Sequence, residues 1–377
     1  MKALILSCNT GGGHNAAGHA LKEAFEDAGH RCDVVDTIAL TNQKVSDFVS
    51  DAYLNMVNRV PEAFGMAYNL WGNMSSEKRK SPLYYMRKLD SKNILRLVER
   101  ERYDVILATH IIAAESLTAL KKDDFLQTTP CIYINTDYTC VPFEEDINCD
   151  RIIIPHRDLL EEFLDHGLAA EKLLPLGIPV KKTFSKGIGR TEARAALEIP
   201  EDMPMVLMMG GSMGFGNLPK YTAALKKVFD HPFLLYIICG NNEDMKAALQ
   251  KRFEGDPSIR LVGYTDRVSD YMAACDVLLS KPGGLSSTEA LVSGTPLVHT
   301  PPIPGCETAN AEFFDAHGLS YAAGGPEEAA EKARLLCDDP AARERMKNAQ
   351  KENAYGSCAL DIVLLSEQLL SKMRPDR

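Results

Sequence analysis

Three glycines and a histidine follow the first apolar run of the chain. The segment TGGGHNAAGHAL, residues 10–21, places His14 directly behind Gly12 and Gly13. Such a turn brings backbone N–H groups close to an anionic ligand at a helix N-terminus. A histidine in the first turn of that helix stays neutral because the helix dipole disfavours the imidazolium. We therefore predict that His14 is a general base. The alternative is a histidine that merely caps the helix.

The same loop also matches a relaxed dinucleotide-binding fingerprint. Gly11, Gly13 and Ala16 have the required spacing, and Asp36 ends the second predicted strand. This pattern would indicate a nicotinamide enzyme. It leaves the motifs of the second half unexplained, so we rank it below the interpretations that follow.

A second glycine loop lies within LLSKPGGLSSTEALVSGTPLV, residues 278–298. Gly283 and Gly284 permit close backbone approach, and the helix start offers free N–H groups to a diphosphate. The hydroxyls predicted to assist are those of Ser286, Ser287 and Thr288. Glu289 is predicted to bind a ribose, as the acidic residue of dinucleotide folds does. A simple helix start with an acidic first turn is the alternative.

Two further loops could contribute to the same site. In TPPIPGCETANAEFF, residues 300–314, Glu307 and Asn310 share one face of a predicted helix start and suit the hydroxyls of a sugar. The alternative there is N-capping. The loop MGGSMGFGN, residues 209–217, offers more N–H donors. It is not a Walker loop because no Gly-Lys-Ser/Thr follows.

The elements around these loops form two repeating halves. Short apolar runs alternate with helical patterns, which indicates parallel sheets covered on both faces. The predicted strands occupy residues 2–8, 31–37, 103–110, 130–137, 151–156, 203–209, 232–242, 259–266, 275–284 and 295–302. We expect two doubly wound α/β domains facing across a cleft, with ligands at the carboxyl ends of the strands. The predicted boundaries are a first domain over 1–175, a linker over 176–202 that contains a short helix, and a second domain over 203–355. A C-terminal helix over 356–377 is predicted to pack back on the first domain.

Composition narrows the function classes. The 377 residues carry a formal charge of −10, which argues against nucleic-acid binding. None of the ten cysteines forms a C-x-x-C pair, so we predict that they are buried thiols of a protein in a reducing compartment. No apolar run is long enough to span a bilayer. We expect a cytoplasmic protein, peripheral at the inner face of the membrane, with no bound metal and no cofactor.

The segment 42–90 is too long for an ordinary crossover between strands. It combines aromatic and basic side chains, a mixture that suits a membrane interface or a lipid groove. The residues singled out are Tyr68, Trp71, Lys78, Arg79 and Lys80. A helical hairpin packed on its own domain is the alternative.

Together these motifs resemble glycosyltransferase family 28, in the branch of monogalactosyldiacylglycerol synthases and processive diacylglycerol glucosyltransferases. The stretches that carry the resemblance are TGGGHNAAGHAL, GGSMGFGN, VGYTDRVSDYMAACDVLLSKPGGLSSTEAL and PIPGCETANAEFF. It implies a GT-B fold and transfer of a hexose from UDP-glucose or UDP-galactose, with inversion and without a required metal. Diacylglycerol or a related lipid would be the acceptor, at an anionic membrane surface.

The resemblance also implies roles for residues. His14 falls on the candidate base of the family, and segment 42–90 falls on its membrane-facing acceptor region. Val262, Gly263 and Tyr264 would meet the uracil, and Glu307 and Asn310 the hexose. The remaining predicted donor residues are Gly211, Ser212, Met213, Gly214, Gly283, Gly284, Leu285, Ser286, Ser287, Glu289 and Gly305. Apart from the resemblance, Gly12, Gly13 and His110 are predicted acceptor contacts, with the cap of the helix that begins in THIIAAESL as an equal alternative for His110. Asp137 is predicted to orient His14 or share its role.

Two departures from the family pattern bear on specificity. Cys306 stands where the branch usually has Gln, and the His and Trp expected after Asp137 are absent. We keep two other functions open: a UDP-sugar 2-epimerase, and a nonenzymatic UDP-sugar sensor that would be indifferent to loss of His14.

Overall fold

The computed structural model divides the protein into two compact units. Unit 1 comprises Met1–Lys181, Pro304–Cys306 and Ser357–Arg377, and unit 2 comprises Lys182–Ile303 and Glu307–Gly356. The structure describes residues 1–9, 12–41, 82–210 and 217–374.

Unit 1 is built on a six-stranded parallel sheet. Its strands are β1 (Lys2–Ser7), β2 (Arg31–Asp36), β3 (Val105–Ala108), β4 (Cys131–Ile134), β5 (Arg151–Ile154) and β6 (Leu173–Pro175). Its α-helices are α1 (Gly12–Asp27), α2 (Thr37–Thr41), α3 (Pro82–Glu101), α4 (Ile111–Lys122), α5 (Leu160–Asp165) and a C-terminal helix (Cys358–Met373). The strand order β2-β1-β3-β4-β5-β6 reverses between β1 and β3. The central strands are continuous apolar runs because both of their faces are buried.

Unit 2 repeats this architecture. Its strands are β7 (Met205–Met209), β8 (Leu234–Ile238), β9 (Ile259–Val262), β10 (Val277–Ser280), β11 (Leu297–His299) and β12 (Tyr321–Ala322). Its helices are α6 (Lys182–Ser185), α7 (Arg190–Ala196), α8 (Leu218–Val228), α9 (Glu243–Arg252), α10 (Val268–Ala274), α11 (Gly284–Ser293), α12 (Cys306–Ala316), α13 (Pro326–Asp338) and α14 (Pro340–Asn353). The order β12-β11-β10-β7-β8-β9 reverses between β10 and β7. The C-terminal helix Cys358–Met373 is therefore α15 and belongs to unit 1.

Helix α1 packs unusually close to the sheet of unit 1. A Cβ atom at Gly18 would lie 3.3 Å from Cγ2 of Ile5 on β1 and 3.6 Å from Cγ1 of Val34 on β2. A larger residue at Gly18 would push α1 away from the sheet. A glycine at position 18 therefore allows the short distance between α1 and the strands β1 and β2. That distance also determines how near the start of α1 lies to the end of β3.

The structure differs from the sequence predictions at the sheet edges and at the linker. The strands β6 and β12 are not among the predicted strands, because three and two residues are too few to show an alternation. The predicted linker 176–202 contains α6 and α7, and from Lys182 onward it belongs to unit 2.

Arg194 attaches α7 to the rest of unit 2. Its side chain is fully buried, and its Nη2 donates to Oδ2 of Asp276 at 2.9 Å while its Nε donates to the carbonyl of Ala274 at 2.9 Å. Its Nη1 donates to the carbonyls of Pro200, Glu201 and Met203. All five N–H···O contacts go to buried or backbone acceptors, so the charge is compensated where water cannot reach it.

We expect Arg194→Met to lower the free energy of unfolding of unit 2 by about 3–5 kcal/mol, because Asp276 loses its buried partner. Urea denaturation measures this. Arg190→Met is the matched control, since Arg190 pairs with the same carboxylate but is 38% exposed. Its expected cost is below about 1 kcal/mol. Equal losses in the two variants would contradict the assignment.

Candidate functional site

His14 lies where the strand order of unit 1 reverses. It is the third residue of α1, directly behind β1, and its Nδ1 is 2.9 Å from the carbonyl oxygen of Thr109, the residue that follows β3. The Thr109 hydroxyl in turn donates to the His14 carbonyl at 3.1 Å. Ligands of open parallel sheets bind at such switch points, outside the carboxyl ends of the strands. The predicted position in the first turn of a helix is therefore the observed one.

The hydrogen bonds of His14 define which ring nitrogen holds the proton. A carbonyl oxygen only accepts, so Nδ1 carries the hydrogen and donates it to Thr109. The Thr136 hydroxyl, 2.9 Å from the same nitrogen, accepts a share of it. In a neutral ring Nε2 is then the nitrogen that can take up a proton. This is the tautomer that a general base needs.

Burial is what keeps the His14 ring neutral. It lowers the pKa of His14, while the carboxylate of Asp137 and the hydrogen bond to Thr109 act in the opposite direction. Desolvation is therefore the largest effect on this pKa, and it favours the neutral ring that the sequence predicts.

His110 adopts the capping role that its sequence context left open. It is the N-cap of α4, with φ of −140°, and its Nδ1 accepts a hydrogen bond from the Ile112 N–H at 3.2 Å. Nε2 of His110 therefore carries the proton. Its ring packs edge-on against that of His14, with centroids 4.6 Å apart, and burial together with His14 lowers its pKa well below the ordinary value. The two rings are neutral and hold opposite tautomers.

In unit 2 the loop after β10 also lies at a strand-order reversal, between β10 and β7. Helix α11 begins at Gly284, with Gly283 as its N-cap. The N–H groups of Gly284, Leu285 and Ser286 therefore have no acceptor within the helix. These donors belong to residues predicted to hold a diphosphate.

Two of the three hydroxyls predicted to assist in diphosphate binding make hydrogen bonds inside unit 2 instead. Ser287 is buried and its Oγ contacts Nε2 of His299 at 2.9 Å, while Thr288 donates to the Gly284 carbonyl at 2.7 Å. Both hydroxyls are engaged inside unit 2, so only Ser286 of the three is partly exposed. Glu289 is the sixth residue of α11 and not in its first turn, which rules out the alternative of an acidic first turn.

Glu307 and Asn310 shape the neighbouring loops of unit 2. Glu307 pairs with Nζ of Lys281 and accepts from the Ile303 N–H at 3.0 Å. Asn310 is fully buried, and its Nδ2 donates to the Pro282 carbonyl at 3.0 Å. This bond holds Pro282, in the loop before α11, against the buried amide of Asn310. Because the Asn310 side chain is fully buried, the predicted direct contact with a hexose is wrong for it. Gly305 has a φ of +120°, which favours glycine directly before α12.

The three residues predicted to meet a uracil lie at the carboxyl end of β9, which is an edge strand of the unit 2 sheet. Val262 is the last residue of β9, and Gly263 follows it. A Cβ atom at Gly263 would lie 3.4 Å from Nζ of Lys246. Tyr264 is 72% exposed, which is exceptional for a large aromatic residue.

Comparison with known proteins places these two units in families. Residues 14–180 match the family model described as monogalactosyldiacylglycerol (MGDG) synthase, and residues 189–353 match glycosyl transferases group 1. These matches identify the chain as a glycosyltransferase. The resemblance to the MGDG synthase and diacylglycerol glucosyltransferase branch is confirmed.

Relatives of this glycosyltransferase agree with both matches. It is 25% identical to the processive diacylglycerol beta-glucosyltransferase of Bacillus licheniformis, over 99% of this chain and 97% of that protein. It is 26% identical to a probable monogalactosyldiacylglycerol synthase 2 of Oryza sativa subsp. indica, over 87% of this chain and 71% of that protein. The structure of MurG from Acinetobacter baumannii superimposes with a TM-score of 0.64 at 14% identity, covering 97% of this chain and 99% of that one. The predicted GT-B architecture of two Rossmann-like domains is confirmed.

Some predicted residues of the glycosyltransferase lie outside the described ranges. These are Gly211, Ser212, Met213 and Gly214 of the loop after β7, and Tyr68, Trp71, Lys78, Arg79 and Lys80 of the long segment. Helix α3 begins at Pro82, within the last part of segment 42–90. No helix in the part of the chain that the structure describes is both long and apolar enough to cross a membrane.

Sequence reasoning missed the residues that hold His14. Thr109 acts through its backbone carbonyl, which leaves no trace in residue type. Thr136 directly precedes Asp137 in the NTD sequence after β4. Its place beside a predicted site residue could have indicated that its hydroxyl also lies near His14. Asp36, considered for a dinucleotide ribose, instead accepts from the N–H groups of Ile38 and Ala39 at the start of α2.

We predict that His14 titrates below its ordinary pKa of 6.5 and that Asp137→Asn lowers the pKa further. The carboxylate stabilises the imidazolium, so its removal must favour the neutral ring. NMR of the histidine Cε1–H signals against pH measures both. Asp146→Asn, an exposed carboxylate of the same segment, is the control and should leave the His14 curve unchanged. An increase in the Asp137→Asn variant would contradict this electrostatic role.

Proposed function

We propose that this glycosyltransferase moves a hexose from UDP-glucose or UDP-galactose to the free hydroxyl of diacylglycerol, with inversion at the anomeric carbon. The observation that carries the proposal is the His14 tautomer, with Nδ1–H donated to the Thr109 carbonyl and Nε2 ready to accept a proton. The names of the related diacylglycerol and MGDG enzymes support the lipid acceptor.

In the proposed reaction His14 removes the proton of the acceptor hydroxyl. The acceptor oxygen attacks the anomeric carbon from the face opposite UDP, and the bond to the diphosphate oxygen breaks. UDP leaves with the electron pair of that bond, and His14 keeps the proton on Nε2. Because the ring is neutral above its lowered pKa, the base is competent at neutral pH and is lost as the pH falls through that pKa.

On unit 2, the first N–H groups of α11 would receive the charge that develops on the departing diphosphate. Oriented backbone donors stabilise such charge without having to reorganise. The donors proposed here are the N–H groups of Gly284, Leu285 and Ser286, with the loop after β7 as a further contributor. Glu289 is proposed for the ribose, the β9 end at Val262–Tyr264 for the uracil, and Glu307 for the hexose.

The segment 42–90 is proposed to meet the surface of an anionic membrane. Its aromatic and basic residues support that location, because aromatic rings sit at the headgroup level and cations are attracted to anionic lipids. The acceptor would then be extracted by unit 1, the unit that contains His14.

The decisive test measures UDP release from UDP-glucose and UDP-galactose, with and without diacylglycerol in liposomes that contain phosphatidylglycerol. Mass spectrometry identifies the lipid product. We expect a hexosyl-diacylglycerol, and a loss of kcat of about 100- to 10,000-fold in His14→Gln with UDP binding retained. His19→Gln is the matched control, because His19 is an exposed histidine of the same helix.

Each contrary outcome is informative. Turnover retained in His14→Gln would contradict the base, and a wild type that binds UDP without forming a lipid product would contradict the acceptor. Conversion of the UDP-sugar into its 2-epimer would identify an epimerase instead. A sensor would bind UDP-sugar without any turnover.

We also expect Asn310→Ala to weaken UDP binding about 10-fold, because the Pro282 carbonyl loses its buried donor and the loop before α11 relaxes. Calorimetric titration with UDP measures the affinity. Asn353→Ala is the control, since Asn353 makes a similar bond to the Ala349 carbonyl within α14. Unchanged UDP affinity in a folded Asn310→Ala protein would remove Asn310 from the donor site.

A further inference from the structure

A carboxylate is buried beneath the loop that reaches His14. Glu144 begins a 3₁₀ turn, Glu144–Asp146, and its side chain has no exposed surface. Its Oε1 accepts from the Tyr133 hydroxyl at 2.5 Å and from Nδ2 of Asn135 at 2.8 Å, and its Oε2 accepts from the Val141 N–H at 3.0 Å. These donors come from β4 and from both ends of the loop that follows β4.

Asn135 extends this network to the His14 ring. It is fully buried, and its Nδ2 also donates to the Thr139 carbonyl at 2.9 Å. Its Oδ1 accepts from the Asp137 N–H at 2.6 Å. The residue between them is Thr136, whose hydroxyl lies 2.9 Å from Nδ1 of His14. Two hydrogen bonds, both made by the Asn135 side chain, therefore connect Glu144 to the backbone of Asp137.

The backbone before Glu144 is held in a costly conformation. Phe143 has φ of +74°, in the left-handed region that a residue with a Cβ adopts only at a cost of about 1–3 kcal/mol. Such a conformation persists where the surroundings fix it, and Phe143 is itself buried. The turn thus directs a carboxylate into the protein interior despite backbone strain and despite desolvation.

A second carboxylate holds the far side of the same loop. Oε1 of Glu162, on α5, accepts from the Thr139 hydroxyl at 2.6 Å and the Cys140 N–H at 2.8 Å. Glu162 therefore fixes the end of the loop away from His14, and Glu144 fixes the part that carries Thr136 and Asp137. Burial raises the pKa of Glu144 to about 8, against the effect of its donors, so near pH 7 the side chain holds a proton most of the time. Of its partners named above, only the Tyr133 hydroxyl can accept that proton in a hydrogen bond.

We propose that Glu144 is a positioning residue for His14: through Asn135 it fixes Thr136 and Asp137 against the imidazole ring. This role rests on the proposed function, in which His14 is the base. Glu144 does not touch the ring or the substrate. It acts on the orientation of the groups that share the Nδ1 hydrogen and set the proton affinity of the ring.

The test compares Glu144→Gln with Asp146→Asn, a change in the exposed residue of the same 3₁₀ turn. Glu144→Gln turns one of the two oxygens into an NH₂ group. Nδ2 of Asn135 donates to both Glu144 oxygens, so the amide cannot accept one of these bonds and the 135–141 loop shifts at Asn135. NMR titration of the Cε1–H signals then follows His14, whose resonance is assigned by its loss in His14→Gln. We expect the pKa of His14 to move away from its wild-type value in Glu144→Gln, because the shifted loop changes both the burial of the ring, which lowers that pKa, and the position of Asp137, which raises it. In Asp146→Asn the pKa of His14 should stay unchanged.

Turnover gives an independent readout. We expect kcat to fall about 10- to 100-fold in Glu144→Gln, with unchanged KM for the UDP-sugar, because the groups that share the Nδ1 hydrogen and set the proton affinity of the base are displaced while the donor residues of unit 2 are untouched. A His14 titration curve and a kcat both equal to those of the wild type would overturn the proposal and leave Glu144 a structural residue.

The two proposals fail in different ways. If the wild type transfers no hexose, the proposed function fails, while the NMR titration still decides whether Glu144 positions the ring. If Glu144→Gln does not fold, Tyr133→Phe removes a single donor from the same carboxylate. A smaller change in the pKa of His14 is then expected, and its absence would overturn the proposal.

Discussion

The hydrogen bond from Nδ1 of His14 to the Thr109 carbonyl is the constraint on which the rest of unit 1 depends. It joins residues 95 positions apart, so it exists only if β1 and β3 are neighbours and end at the same edge of the sheet. Helix α1 begins at Gly12, a short loop after β1, and Gly18 lets the helix lie close to β1 and β2. A change in any of these elements would move the ring away from the acceptor that defines its tautomer.

Unit 2 has a similar topology but presents different groups where its strand order reverses. At its switch point the side-chain hydroxyls turn inward: Ser287 contacts Nε2 of His299, and Ser320 contacts Nδ1 of the same ring at 3.0 Å. Burial lowers the pKa of His299 to about 3, so this histidine is a neutral packing element and not a base. What remains at the start of α11 is the partly exposed Ser286 and the backbone N–H groups, which suit an anion because their position is fixed by the helix itself.

The architecture could be predicted from sequence, because apolar runs and glycine loops determine where parallel strands end. The position of His14 in the first turn of α1 and that of Gly283 at the start of α11 were predictable for the same reason. The roles of Asn310 and Ser287 were not, because residue type shows that a side chain is polar but not whether it faces a ligand or the interior. Thr109 was not predictable either, since its contribution is a backbone carbonyl. Contacts between distant elements decided each of these cases.

One group in the protein orients the His14 ring, and other groups set its proton affinity. Where a carboxylate holds the far nitrogen of a histidine, it both fixes the ring and raises its pKa. Here a backbone carbonyl, which does not titrate, is the main hydrogen-bond acceptor, and Asp137 acts on the ring through its charge. The tautomer of the ring is therefore independent of the ionisation of Asp137, whereas its basicity is set by burial against that charge. A loop that carries both Thr136 and Asp137 can consequently adjust basicity without disturbing the hydrogen bond to Thr109.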